Sequence, residues 1–297
     1  MISVVIPSYN SEQTIEKCLK ALLTQTFQGD YEIILVDSSA DATPSIVKNN
    51  FPKIKFFHLK TKTDPGTARN IGIREAKGGI IAFIDSDCIA LPDWLEKIVS
   101  AHESSYNIVG GSVTPANNPK DAVGWAGYMA EFRQFLPELP KGEVRHIPTC
   151  NISYKKEIFQ RFGLFDGKYY PQEDLVYNYN LIKSGEKMLF VPNIRVYHTH
   201  RSRIIQFLAH QEKIGRITAK VLKILPLEGA FIVRSLFLGG LLIPLLPLVK
   251  FLKTIAVFFK YQPREIIVRP MSVLILGVGL ILWGKGFFLG ALDKNSF

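Results

Sequence analysis

Between residues 2 and about 112, short apolar runs alternate with amphipathic stretches, and this alternation restricts the fold more than any other feature. Ser3–Ile6, Glu32–Val36, Ile54–His58, Ile80–Ile84 and Ile108–Val109 read as strands. Ser11–Thr24, Pro44–Asn49, Thr67–Glu75 and Asp93–Glu103 read as helices, the first with Ile15, Cys18, Leu19, Leu22 and Leu23 on one face. Strand–helix alternation predicts an α/β fold, a mostly parallel sheet covered on both faces. Ligands of such sheets collect beyond the carboxyl ends of the strands. Tyr9, Asp37, Asp85 and Asp87 fall at those ends. Beyond them, 113–150 reads as irregular, Asp174–Ser184 as a helix, and Met188–Val191 and Ile194–His198 as two strands.

Charge divides the chain. Residues 1–200 carry 22 basic and 22 acidic side chains, whereas residues 201–297 carry 14 basic and 4 acidic, so the whole net charge of +10 sits in the last third. That third also holds the densest apolar runs. A composition 47% hydrophobic excludes a disordered chain. Basic residues interleaved with long apolar runs argue against a nucleic-acid binder and for an anionic membrane surface. Cys18, Cys88 and Cys150 form no metal-binding spacing, which fits a reducing compartment. The start, Met1-Ile2-Ser3-Val4-Val5-Ile6-Pro7, lacks a positive n-region and reads as a first strand rather than a signal peptide. The expected location is the cell membrane, with the catalytic part on the cytoplasmic side.

Five motifs carry chemistry. Ile84-Asp85-Ser86-Asp87-Cys88 ends a buried strand in two carboxylates. Adjacent carboxylates repel, and a hard cation such as Mg²⁺ or Mn²⁺ relieves them while binding diphosphate oxygens. The competing reading is a solvated turn. Asp37 either accepts hydrogen bonds from a ribose or base or, like Asp41, caps the next helix. In Asp64-Pro65-Gly66-Thr67-Ala68-Arg69-Asn70-Ile71-Gly72, small residues let a helix approach the sheet, and its amides and Arg69 can face a diphosphate. Gln172-Glu173-Asp174 opens a helix with carboxylates that either accept a proton from an acceptor hydroxyl or only cap the dipole. His198 ends a strand and is either structural or a third metal ligand.

In this order the motifs resemble the family 2 glycosyltransferases of the GT-A fold. The resemblance runs through Val5-Ile6-Pro7-Ser8-Tyr9-Asn10, Val36-Asp37, Gly66-x-Ala68-Arg69-Asn70-x-Gly72, Asp85-x-Asp87, Asn151-Ile152-Ser153, Gly163-Leu164-Phe165-Asp166 and Glu173-Asp174, and covers residues 1 to about 200. Ser38 departs from a second Asp common in the family. The Q-x-x-R-W signature of processive synthases is missing after Asp174, which points to transfer of a single sugar. The resemblance implies a UDP- or GDP-type sugar donor, with Pro7, Tyr9 and Asp37 at base and ribose. It implies Asp85 and Asp87 at the metal and diphosphate, His198 as third ligand, and Asp174 as the base of an inverting displacement. Gly66 and Arg69 are expected beside the diphosphate.

The remaining third is expected to hold the chain at a membrane, giving three parts: 1–200 catalytic, 201–228 an amphipathic helix, and 229–297 hydrophobic. In Arg201–Lys223, Lys213, Arg216, Lys220 and Lys223 share a face, as in a helix lying in the headgroup plane. Ser235–Val249 is short for a ~30 Å hydrocarbon core and is expected to be re-entrant or interfacial. Met271–Leu292 is long enough to cross, and the two segments could also form a plain hairpin. The basic stretch between them (Lys250, Lys253, Lys260, Arg264, Arg269) is expected on the cytoplasmic face. The expected acceptor is a lipid or lipid-linked saccharide. Alternatives are a polyprenyl-phosphate sugar synthase and a sugar-phosphate nucleotidyltransferase, the latter disfavoured because Pro7-Ser8-Tyr9-Asn10 replaces a Gly-rich loop.

Overall fold

The structure is a computed structural model that describes residues 1–235, 239 and 241–293. Its sheet contains β1 (Ile2–Ser8), β2 (Tyr31–Asp37), β3 (Lys55–His58), β4 (Ile80–Ile84), β5 (Cys88–Ala90), β6 (Ile108–Pro115), β7 (Gly142–Val144), β8 (Asn151–Lys155) and β9 (Met188–His198). The order is β3-β2-β1-β4-β8-β6-β9-β5, with β7 pairing β9. The expected α/β fold is present, with β3, β2, β1 and β4 forming its parallel half. Val4, Val5 and Ile6 in β1 and Ile81–Ile84 in β4 are fully buried, which is why these strands read as unbroken apolar runs. Gly72 lets the Pro65–Glu75 helix lie on β1, because a Cβ there would come within 2.3 Å of Val5 Cγ1.

β8 enters antiparallel between β4 and β6, with Ile84 opposite Asn151. This pairing brings the residues before β8 beside those after β4. The two strands expected at 188–198 are one strand, β9, parallel to β6 with a register shift after Gly111. At that shift the Ile194 carbonyl lies where a Gly111 Cβ would sit, and Ser112 Oγ donates to the Pro192 carbonyl at 2.7 Å. The irregularity at Pro192-Asn193 explains why the sequence pattern splits there.

The chain divides into two compact units, Met1–Ala116 with Leu139–Thr199, and Asn117–Glu138 with His200–Phe297. The segment 113–150 is therefore not irregular throughout. β6 runs to Pro115, and Ala122–Phe132 is a helix of the second unit, capped by the Asp121 side chain on the Gly124 amide. Its apolar, nearly aperiodic residues concealed it.

Within the second unit, helix Ile204–Ile224 runs beside helix Pro270–Leu292. A Cβ on Gly215 would fall 1.9 Å from the Trp283 carbonyl oxygen, one on Gly286 1.9 Å from that of Glu212, and one on Gly290 2.2 Å from that of Arg216. Contacts advance together along both helices, so they are parallel. Lys285 pairs with Glu212, and Arg216 and Lys220 pair with Asp293. The helix expected to lie alone in the headgroup plane is thus packed, backbone to backbone, against the most apolar helix. The stretch expected as a basic connecting loop is mostly the helix Leu246–Tyr261, preceded by a single tight turn at Ile243–Leu245. Four residues of the first apolar segment, Leu236, Phe237, Leu238 and Gly240, lie outside the described residues. Pro270–Leu292, of 23 residues, is long and apolar enough to cross a membrane.

Candidate active site

At the end of β2, the Asp37 carboxylate is fully buried. Ser39 donates to it through its amide and its hydroxyl, and His58 Nδ1 lies 2.8 Å from Oδ2. Parallel register sets Asp37 opposite His58 at the end of β3. Pro7 is buried inside β1, and Tyr9, just past the strand, is exposed with Lys62 Nζ 4.3 Å from its ring centroid. Asn10 takes a left-handed conformation (φ 50°), donates its amide to Ser39 Oγ at 2.7 Å and accepts from the Ala40 amide at 3.1 Å. The loops after β1 and β2 are thereby held as one surface carrying an exposed aromatic ring.

After β4, a turn closed by the Cys88 amide on the Asp85 carbonyl (3.0 Å) connects to β5. Ser86 is buried within it, its hydroxyl 2.7 Å from that of Ser11. Asp85 and Asp87 remain partly exposed. β5 pairs antiparallel with β9 so that Cys88 lies opposite His198. This puts His198 Nε2 3.5 Å from Asp87 Oδ1. Asp87, Cys88 and His198 bring their ligand atoms within 4.8 Å of one another. Two partly exposed carboxylates one residue apart, with an imidazole facing the second, are a donor set that fits a divalent cation of Mg²⁺ or Mn²⁺ type. Of the three ligands expected from sequence, His198 faces Asp87, while Asp85 stands two residues away and outside the close three-ligand group. Burial pushes the Cys88 thiol well above its usual range, with Cys150, Asp87 and Asp85 adding to the effect.

The Arg69 guanidinium is buried, with Nη2 2.7 Å from Asp85 Oδ1 and Nη1 2.9 Å from Glu173 Oε1. It bridges the two carboxylates and so orients Asp85. Gly66 is buried against Glu173 and Phe165, where a Cβ would come 3.0 Å from Glu173 Cγ, so its small size serves packing. Asn70 fixes the loop ahead of the Glu173–Lys183 helix by exchanging two hydrogen bonds with the Phe165 backbone.

Asp174 stands in the first turn of that helix. The Thr149 amide and hydroxyl donate to its Oδ2 at 3.1 and 3.2 Å, and the Leu175 amide donates to Oδ1 at 2.7 Å. A carboxylate offers about four lone-pair sites, so these three bonds fix the rotamer and leave an acceptor position. Sequence reasoning missed His58 and Thr149 as parts of the site, and it singled out Glu173 only within the helix-opening Gln172-Glu173-Asp174 motif. His58 could have been found by aligning the ends of the second and third strands.

Burial pushes the Glu173 carboxyl up to about 7, with Asp174 and Asp85 adding to the effect and Arg69 opposing it. Its Oε2 is buried with no hydrogen-bond partner among the described residues. The folded state therefore holds this proton more tightly than the unfolded chain. The resulting stabilisation is complete below the ordinary carboxylate range and is lost as pH rises through about 7. In Glu173→Gln, the decline in melting temperature that this group imposes across that window is expected to vanish. Identical slopes in both proteins, measured by thermal unfolding against pH, contradict the assignment.

A half-parallel sheet thus gathers aspartates beyond the ends of β2 and β4, with the His198 imidazole beside Asp87 and carboxylates at the start of the Glu173–Lys183 helix. The sequence profile of Glycosyl transferase family 2 matches residues 3–163, and the chain belongs to that family. It is 27% identical over 223 residues to glycosyltransferase AglE of Haloferax volcanii, covering 72% of each chain. It is 25% identical over 327 aligned positions, covering 99% of this chain and 98% of the relative, to the dolichyl N-acetyl-alpha-D-glucosaminyl phosphate 3-beta-D-2,3-diacetamido-2,3-dideoxy-beta-D-glucuronosyltransferase of Methanococcus voltae. Among solved structures, the mannosyltransferase PcManGT of Pyrobaculum calidifontis, in complex with GDP-Man and Mn²⁺, shares the fold with a TM-score of 0.57 at 19% identity, over 96% of this chain and 87% of that one. S. aureus TarS in complex with UDP-GlcNAc gives 0.53 at 17% identity, over 96% and 90%.

Proposed function

We propose that the protein transfers one sugar, with inversion, from a UDP- or GDP-type donor to a lipid-linked saccharide. The observation that supports this reading is that Arg69 ties Asp85, at the end of β4 beside the Asp87–His198 pair, to Glu173, whose neighbour Asp174 is held by Thr149. Tyr9 offers a stacking face to the base, while buried Asp37, braced by His58 and Ser39, shapes the floor for the ribose. Asp85, Asp87 and His198 would hold Mg²⁺ or Mn²⁺, which when bound neutralises the charge of a departing diphosphate. Arg69 acts through Asp85, fixing its carboxylate so that the second oxygen faces the donor. Asp174 takes the proton of the acceptor hydroxyl as it attacks the anomeric carbon from the opposite face. One base and no second nucleophilic carboxylate suffice for inversion.

The lipid-linked acceptor draws support from the Methanococcus relative, which matches along nearly the whole chain. Incubation with UDP- and GDP-sugars and a polyprenyl-diphosphate saccharide is expected to give a new glycosidic bond of inverted configuration that survives mild acid. A mild-acid-labile sugar phosphodiester on polyprenyl phosphate would support the synthase alternative instead.

The second unit is the proposed membrane anchor. Leu241, Leu248, Leu252, Phe259, Leu274 and Ile281 are each more than half exposed, an apolar surface larger in character than scattered singles. Lys253 and Lys260 lie on the same helix as three of these residues, suiting anionic headgroups. Because Pro270–Leu292 is packed along a helix bearing Glu212, Arg216 and Lys220, a crossing would draw those charges through hydrocarbon. The unit is therefore read as seated in one leaflet, with helix Pro270–Leu292 not crossing. A cysteine introduced at Leu292 is expected to stay shielded from an impermeant thiol reagent in intact cells and to react after permeabilisation. Labelling in intact cells would show a crossing.

A further inference from the structure

The pocket edge contains softer donors than its aspartates. Cys88 Sγ lies 3.8 Å from Asp87 Oδ1, and His198 Nε2 lies 3.5 Å from the same oxygen. All three ligand atoms fall within 4.8 Å of one another. Metal bonds of about 2.0 Å to nitrogen or oxygen and about 2.3 Å to thiolate sulfur set tetrahedral edges of about 3.3–3.5 Å. The two edges at Asp87 contract onto one ion by a few tenths of an ångström, and the Cys88–His198 edge, which lies within 4.8 Å, closes by up to about 1.3 Å. The backbone reason is the antiparallel pairing of Cys88 with His198, which orders both donors before any ion arrives. Thiolate, imidazole and one carboxylate with a fourth position open suit zinc-class ions, whereas Mg²⁺ and Mn²⁺ prefer oxygen. Cys150, also buried, stands outside the three-ligand group.

We propose that Asp87, Cys88 and His198 form a soft-metal site, taking Zn²⁺ or Cd²⁺, that competes with the hard cation for Asp87 and His198. Binding breaks the Cys88 S–H bond and forms a sulfur–metal bond, and the proton leaves to solvent with no change of oxidation state. A soft ion so held draws Asp87 and His198 away from Asp85, and sugar transfer stops. Only the competition rests on the hard-metal reading above. The soft site stands on its own three ligands.

Cd²⁺ is the probe, titrated into the reduced, metal-free full chain. An ultraviolet sulfur-to-cadmium charge-transfer band saturating at one equivalent is expected, retained in Cys150→Ser and lost in Cys88→Ser. His198→Ala is expected to weaken Cd²⁺ binding at least tenfold, and it carries the test if Cys88→Ser does not fold. No band in the wild-type protein, or a band that survives Cys88→Ser, overturns the site. Electron paramagnetic resonance of added Mn²⁺ is followed in parallel. Release of bound Mn²⁺ as the band grows supports the competition, and Mn²⁺ that stays bound overturns it. A cadmium band in a protein that never binds Mn²⁺ upholds the soft site and removes the hard-metal reading alone.

Discussion

Asp174→Asn is expected to lower the turnover of sugar transfer by about 10²–10⁴-fold, the range for losing a general base, at unchanged donor affinity. The substitution preserves shape. An asparagine oxygen can still accept from the Leu175 amide, as Asp174 Oδ1 does at 2.7 Å, and its amide can donate to the Thr149 hydroxyl, while the bond from the Thr149 amide is lost. It cannot take a proton from an attacking hydroxyl. The adjacent Glu173 offers no substitute, because it is buried and bound to Arg69. The diagnostic pattern is a kcat that falls at saturating donor and acceptor while Mn²⁺ binding holds and the protein stays folded. Turnover within a few-fold of the wild type removes Asp174 from the base role.

Much of this arrangement was legible in the sequence because it depends on strand ends. The apolar run Ile80–Ile84 breaks at Asp85, and that break alone locates two carboxylates beyond a sheet edge. Asp37 was readable in the same way. What stayed hidden depends on register between distant strands. Thr149 meets Asp174 because β8 enters antiparallel beside β4, a pairing that no local pattern encodes. His58 meets Asp37 through the parallel register of β2 and β3. Arg69 was expected beside a diphosphate because a basic residue near a helix start can face one, and its pairing with Asp85 and Glu173 joins residues far apart in the sequence. The Ala122–Phe132 helix was obscured for a different reason. It is buried nearly all round, so it shows none of the polar–apolar periodicity that marks a surface helix.

The second large effect concerns Asp87. It is the residue that His198 faces across β5 and β9, and its partial exposure leaves it open to the donor side. Asp87→Ala removes a charged ligand and leaves His198 without the oxygen 3.5 Å away. Mn²⁺ affinity is expected to fall about 100-fold, at the upper end of what loss of a supporting group costs. Donor turnover is expected to fall by at least as much, since a nucleoside diphosphate that leaves without charge neutralisation loses several kcal/mol of transition-state stabilisation. Stability should change less than activity, because the Asp87 side chain is 40% exposed.

The most direct measurement is a Mn²⁺ titration of the wild-type chain and Asp87→Ala, read by electron paramagnetic resonance with UDP or GDP present and with donor turnover recorded on the same samples. The wild type is expected to bind one ion and consume donor in proportion to its occupancy, and the variant to do neither over the same concentrations. Equal Mn²⁺ binding by both proteins, or full turnover in a chelated sample, contradicts a metal-assisted transferase built on Asp85, Asp87 and His198.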